Sequence, residues 1–293
     1  MSREDREQAR KMMTKGDLAR TAAQVRADFD AQFASLPLGD DVTLAERTLG
    51  GVPALDVRVE GAEADAVILY LHGGGYVIGS ARTGANLAAP LSRRTGVPAV
   101  SLDYRLAPEH PFPAAVDDAL AAYRELVESG RTVVIAGDSA GGGLVIATLL
   151  GARRAGLPQP AGAVVFSPWV DVTLSGASMR TRGDYDPLFS QAHMAQFAHW
   201  LLGDRDPADE LASPLFADLT GLPPLLVQVG SAEVLLDDAL RLVARAAEQE
   251  VDVSLDIVAG APHVFQYFAS MLPEADEALE RAAAFIKNRL RDA

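Results

Sequence analysis

From residue 66 onward the sequence alternates between two kinds of segment, and this alternation restricts the fold more than any other feature. Compact apolar runs stand at 66–71, 97–102, 133–136, 161–166, 225–229 and 251–258. They are short and rich in β-branched residues, and several lack the polar alternation of a half-exposed strand, so they read as strands buried on both faces. Helical patterns lie between them at 85–94, 114–129, 141–154 and 235–249, with a final one at 274–290. A strand that returns through a helix is laid down parallel to the one before it, so the fold class is α/β: a mostly parallel sheet with helices on both faces. In such sheets the chemistry collects at the carboxyl ends of the strands.

Two regions stand outside this rhythm. Residues 2–34 are charged and helix-forming, with Met12, Met13, Leu18, Val25, Phe29 and Phe33 at spacings nearer helical than strand period, and predict one or two helices beside the sheet. Residues 42–59 show partial alternation on either side of Gly50-Gly51-Val52-Pro53, the pattern of two strands joined by a turn, and would form an antiparallel edge. The interval 168–224 is longer than a crossover needs. It carries Asp184-Tyr185-Asp186-Pro187 and a helix-like stretch at 191–202, and an insertion of this length often covers a site as a lid.

Charge and composition remove several classes of function. With 26 basic and 40 acidic side chains the formal charge is −14, which repels phosphate backbones and anionic headgroups and argues against nucleic acid or a membrane surface as partner. There is no cysteine, so thiolate nucleophiles, thiolate metal sites and disulfides are excluded together. The five histidines are scattered without metal-ligand spacing, and no metal is expected. No run of about 18 apolar residues occurs and the first twenty residues lack the apolar stretch of a signal peptide, so the expectation is a cytoplasmic protein without a membrane span.

Gly137-Asp138-Ser139-Ala140-Gly141 follows one of the apolar runs directly and precedes a helical pattern. Glycines two residues to either side of a serine permit a sharp strand-to-helix turn that lifts the hydroxyl out of the sheet. The pentapeptide alone is a weak signal, and its flanking strand and helix are what give it weight. His72-Gly73-Gly74-Gly75 follows another strand. Taken alone it could be a glycine-rich turn. Beside a serine elbow it reads as a loop whose uncovered N–H groups, those of Gly73 and Gly74 together with Ala140, stabilise an oxyanion.

A serine hydroxyl needs a base, and the base needs a carboxylate to orient it. His72 belongs to the glycine loop, His110 to a proline-rich stretch, and His193 and His199 to the lid helix; His263 lies in a loop directly after the last strand, in the chain order serine, acid, histidine. The acid should follow the preceding strand, where Glu233, Asp237 and Asp238 compete. Glu233 is nearest the strand end and is favoured, while the two aspartates suit the first turn of a helix. Tyr104, Arg105 and Glu109 read as buttresses of the active-site loops; Trp169, Tyr76, Phe189 and Phe265 are candidates for either packing or the pocket wall. Asp184 and Asp186 read as no more than two carboxylates in a turn.

Together these motifs resemble those of the hormone-sensitive lipase-like group of α/β-hydrolases, the bacterial family IV esterases. The resemblance rests on 72–75, Asp103-Tyr104-Arg105-Leu106-Ala107-Pro108-Glu109, Gly137 to Gly142, and the loop with Gly260, His263 and Phe265, and it runs from about residue 40 to the C-terminus. It implies the α/β-hydrolase fold with an eight-stranded sheet, and a helical cap built from residues 1–40 and an insertion at about 180–212 of the catalytic domain 41–293. It also implies cofactor-free hydrolysis of short- to medium-chain acyl esters. The family usually has Asp where this chain has Glu233; a subgroup with glutamate, similar to monoterpene lactone hydrolases, makes a lactone a second substrate class. Members often pair through the last edge strand, so a homodimer is expected. Some relatives of this fold bind small molecules as receptors after losing the histidine, which this chain retains as His263.

Overall fold

The structure, a computed structural model, describes residues 9, 11, 13–33 and 36–292. Part of the expected N-terminal cap, Met12 included, lies outside the described residues. One eight-stranded sheet organises the rest, in the order β1-β2-β4-β3-β5-β6-β7-β8. Its strands are β1 (Val42–Leu49), β2 (Val52–Val59), β3 (Val67–Leu71), β4 (Ala99–Leu102), β5 (Val133–Asp138), β6 (Gly162–Phe166), β7 (Leu225–Gly230) and β8 (Val253–Val258). β2 pairs antiparallel with both β1 and β4, and every other pairing is parallel. The Gly50-Gly51 turn that sets the β1–β2 hairpin is the antiparallel edge expected from the sequence.

The helices are α1 (Ala22–Phe33), α2 (Ala81–Thr95), α3 (Ala114–Glu128), α4 (Ala140–Arg154), α5 (Ser178–Thr181), α6 (Gln191–Leu202), α7 (Leu236–Glu248) and α8 (Pro273–Asp292). Burial on both faces explains why the strand runs read as continuously apolar. Val67, Leu69 and Leu71 of β3 face one hydrophobic cluster, with side chains of α3, α4 and α7. Ile68 and Tyr70 face another, with Leu87 and Leu91 of α2 and Leu279 and Ile286 of α8. Each such side chain contributes about 1.5–3 kcal/mol by leaving water. The central strands are thus held rigidly, and whatever is mounted on their carboxyl ends inherits that rigidity.

Helix α2 begins four residues earlier than its apolar pattern predicts. Ser80 and Thr83 form a reciprocal capping box, and Gly96, at φ 74°, closes the other end. The insertion between β6 and β7 contains α5 and α6. Helix α6 turns Met194, Phe197 and Leu201 into the core, while its polar side meets the N-terminal segment. There His193 Nε2 lies 2.9 Å from the Gly16 carbonyl oxygen, and Gln196 donates to the Leu18 carbonyl at 2.8 Å. Among the described residues no helix is long and apolar enough to cross a membrane.

Candidate active site

Ser139 stands between β5 and α4 with φ 53° and ψ −122°, a conformation that costs a non-glycine residue on the order of 1–3 kcal/mol. Backbone hydrogen bonds from both sides hold it there: its N–H donates to Phe166 (2.8 Å), and its carbonyl accepts from Trp169 (2.9 Å) and Gly143 (3.1 Å). The flanking glycines are required by close approach. A Cβ on Gly141 would strike the Leu71 carbonyl oxygen, and one on Gly137 would lie 2.6 Å from the Gly141 oxygen.

Across the carboxyl edge of the sheet the loop after β8 brings in His263, with Nε2 2.9 Å from Ser139 Oγ. The other ring nitrogen, Nδ1, is 2.6 Å from Glu233 Oε2. The glutamate is fully buried. Its second oxygen, Oε1, accepts from Ser167 Oγ (2.8 Å) and from the Gly230 N–H (2.8 Å). Burial works against a charged imidazole, but the neighbouring charge and hydrogen bond of Glu233, with Asp186 and Asp138 behind it, outweigh this and hold the His263 pKa above its ordinary value.

The competing carboxylates have other partners. Asp237 accepts the Ser178 N–H at 2.9 Å, and Asp238 accepts those of Val170 and Asp171, both at 3.0 Å. Burial, reinforced by Asp171, pushes the Asp238 pKa well above the usual carboxylate range. The other histidines are also accounted for: His110 and His199 are exposed, and His193 caps α6. His72 is buried, kept neutral by burial with a pKa lowered to about 4, and donates from Nδ1 to the Gly73 carbonyl at 2.7 Å. Its ring stacks on Tyr104, whose hydroxyl donates to the His72 carbonyl at 2.6 Å.

Of the N–H groups expected to be free in the glycine loop, that of Gly73 has an acceptor. The Gly73 N–H donates to Asp138 Oδ1 at 3.0 Å, an oxygen that also accepts from Tyr70 at 2.8 Å, so it is already committed. The N–H groups of Gly74, Gly75 and Ala140 donate to no acceptor among the described residues. Gly75, at φ 60°, could not carry a side chain, because a Cβ would run into the Phe197 ring.

A family model described as the alpha/beta hydrolase fold matches residues 68–267 of the chain. The chain is 44% identical over 256 residues to an acetyl-hydrolase of Streptomyces hygroscopicus, covering 86% of this chain and 83% of that one. The chain belongs to the alpha/beta hydrolase fold family. Its place within that family is equally plain: an esterase from the bacterial hormone-sensitive lipase family, solved as a crystal structure, superimposes with a TM-score of 0.94 at 42% identity and covers 99% of both chains. An ethyl acetate hydrolase of Pseudomonas putida is 32% identical over 78% of this chain and 75% of its own. The protein is therefore a carboxylesterase-like hydrolase of the bacterial hormone-sensitive lipase group, and it acts on esters.

Several groups around the esterase's site escaped the sequence reading. Ser167, at φ 47°, braces two loops at once, since its hydroxyl donates to Glu233 and accepts the Val264 N–H at 3.0 Å. The only hint was its position directly after a strand. Asp186, read as a turn carboxylate, is buried and accepts the N–H groups of Leu188, Phe189 and Val234. Phe189 sets its ring edge-on to His263 with centroids 5.3 Å apart, and Phe197 packs against Phe189 at 6.2 Å. Trp169 and Phe265 are packing residues, fully buried.

The motif at 103–109 supports the esterase's loops from outside. Arg105 grips Asp118 with a fork of hydrogen bonds of 2.6–3.0 Å, and Arg26 of α1 reaches Glu109 at 2.8 Å and the carbonyls of Val77 and Ala107. Asp103 accepts the Ala81 N–H at the start of α2. Among the described residues no three histidine, aspartate or glutamate side chains are grouped to hold a metal.

Proposed function

We propose that the chain hydrolyses short- to medium-chain carboxylic esters through an acyl-enzyme on Ser139. The observation that carries this is the line from Ser139 Oγ to His263 Nε2 at 2.9 Å and from His263 Nδ1 to Glu233 Oε2 at 2.6 Å. Ser139 Oγ attacks the acyl carbon as His263 takes its proton, and Glu233 holds the ring in the tautomer whose Nε2 is free to accept. The carbonyl oxygen becomes an alkoxide facing the N–H groups of Gly74, Gly75 and Ala140, each donor contributing about 2.7–4 kcal/mol to the transition state. His263 then protonates the departing alcohol. Water enters, gives its proton to His263, and releases the acid by the reverse of the first step.

The short end of the acyl range is favoured by Phe189 and Phe197, which press from the cap onto His263 and Gly75. The relatives named acetyl-hydrolase and ethyl acetate hydrolase point the same way. A homodimer through β8 fits the same reading, because β8 ends the sheet and Ile257 on it is 48% exposed.

The test is turnover of p-nitrophenyl esters from acetate to palmitate by the intact chain and by Ser139→Ala at matched folded concentration, with a lactone run alongside. Turnover of short esters by the intact protein alone is expected. Retained turnover in Ser139→Ala would overturn the acyl-enzyme, and turnover of the lactone alone would move the substrate class to cyclic esters.

A further inference from the structure

Asp186 lies in the cap insertion, yet its side chain is tied to the loop that carries the catalytic acid. Oδ1 accepts the N–H groups of Leu188 (2.8 Å) and Phe189 (3.0 Å), and Oδ2 accepts that of Val234 (2.9 Å), the residue next to Glu233. The side chain is only 1% exposed, and among the described residues no lysine or arginine pairs with it. The residue whose backbone it holds, Phe189, is the one whose ring rests edge-on against His263.

Burying a carboxylate with no cation beside it is costly, even when N–H groups satisfy its oxygens. A neutral asparagine would keep one acceptor oxygen and turn its NH₂ toward the remaining backbone N–H, so only a carboxylate accepts from both sides. A carboxylate also brings charge, and the His263 ring becomes positive whenever Ser139 is deprotonated.

We propose that Asp186 is a positioning residue of this esterase: it locks the cap to the acid loop, sets Phe189 against His263, and presents a second negative charge to the imidazolium formed during attack. The inference rests on the Ser139–His263–Glu233 reading given above. The charges of three carboxylates, each on a different element, favour the protonated His263: Glu233 from the loop after β7, which touches the ring, and, from further off, Asp186 in the cap insertion and Asp138 at the end of β5. Glu233 fixes the ring's direction through a hydrogen bond, whereas Asp186 acts through space and through the two backbone segments that it joins.

Asp186→Asn in the full chain removes the charge and keeps the shape and one acceptor oxygen, while its NH₂ gives up the N–H contact on the other side, so the pH dependence, rather than the loss of kcat alone, isolates the charge. kcat and KM for p-nitrophenyl butyrate are measured from about pH 5 to 9, and His263 is titrated by NMR of 15N-histidine protein. The expected result is a fall in kcat of about tenfold with KM little changed, and a shift of both the acid limb and the His263 titration to lower pH by roughly half a unit or more. A folded Asp186→Asn protein with the parent's kcat and pH profile overturns the proposal. So does a loss of kcat that is equal at every pH while the His263 titration stays in place, because that is a tether without an electrostatic part.

If Asp186→Asn does not fold, Asp186→Ser, which retains a hydroxyl for the Leu188 N–H, carries the same test. Ser139→Ala is assayed in parallel. If it is inactive while the Asp186 variants behave as the parent does, this proposal alone fails. If it stays active, the underlying reading fails and takes the proposal with it.

Discussion

Replacing Glu233 by glutamine tests the acid assignment with unusual sharpness, because the structure dictates which way the new amide must face. Oε1 already accepts from Ser167 Oγ and the Gly230 N–H, both at 2.8 Å, so the amide oxygen of the variant keeps that place. The NH₂ group then occupies the position of Oε2, 2.6 Å from His263 Nδ1. Two donors cannot face one another. The ring must therefore adopt the tautomer with its proton on Nε2, where it points at Ser139 Oγ and can no longer accept the hydroxyl proton. In serine triads an amide in this role costs about 10⁴-fold in kcat, equivalent to about 5.4 kcal/mol at 1.36 kcal/mol per decade. Folding should suffer far less, by about 1 kcal/mol, since every hydrogen bond is re-formed with a neutral partner. The assay is kcat on p-nitrophenyl butyrate beside thermal denaturation, with Asp237→Asn and Asp238→Asn as controls. A folded Glu233→Gln protein within tenfold of the parent, or a larger loss at Asp237, would refute the tautomer argument and the assignment together.

Three further outcomes follow from the same geometry. Because Glu233, Asp186 and Asp138 hold the His263 pKa above 6.5 against burial, the acid limb of kcat/KM should lie above pH 6.5, activity falling as the ring gains its proton; a limb below pH 6 contradicts this. Ser167→Ala leaves the buried Val264 N–H without its acceptor and Glu233 with one donor fewer, so denaturant unfolding should show a loss of about 1–3 kcal/mol and kcat should fall. Asp238, buried with a raised pKa, keeps its proton in the folded chain at pH values where the unfolded chain releases it, so it costs stability as pH rises from its ordinary value of 3.8 toward its folded value. Asp238→Asn should therefore gain stability relative to the parent over that interval and show no such gain below it, as pH-dependent denaturation curves will show.

What the sequence revealed and what it concealed divide along a physical line. The strands of the parallel sheet were legible because burial on both faces leaves a run such as Val67-Ile68-Leu69-Tyr70-Leu71 with no polar position. The elbow was legible because its glycines answer to clashes with nearby backbone. Glu233 was preferred over Asp237 and Asp238 because it lies nearest the strand end and the two aspartates suit a helix's first turn, and it is the one placed against His263. The start of α2 was missed because a capping box sits outside the apolar period. The engagement of the Gly73 N–H was not legible for a deeper reason: whether it is free depends on Asp138, 65 residues away. Asp186 was passed over likewise, since nothing in Asp184-Tyr185-Asp186-Pro187 says which carboxylate folding will bury.

The backbone strain around the site shows why such an arrangement needs the whole sheet beneath it. Among the described residues six that are not glycine have positive φ, and four of them lie at the candidate site: Tyr76 beside the glycine loop, Ser139, Ser167 with its hydroxyl on Glu233, and Val264 next to His263. At about 1–3 kcal/mol each, these four conformations would not persist on isolated loops. Three of them stand behind buried strands, Tyr76 in the loop after β3, Ser139 at the end of β5 and Ser167 at the end of β6, and Val264 lies in the loop after the edge strand β8. Hydrogen bonds between neighbouring loops then fix them relative to one another, Ser139 N–H to Phe166, Ser167 N–H to Gln228, and Val264 N–H to Ser167 Oγ. The strain is thus shared across β5, β6, β7 and β8, so a cavity opened beneath any one of these strands should loosen the alignment of Ser139, His263 and Glu233 before it unfolds the chain.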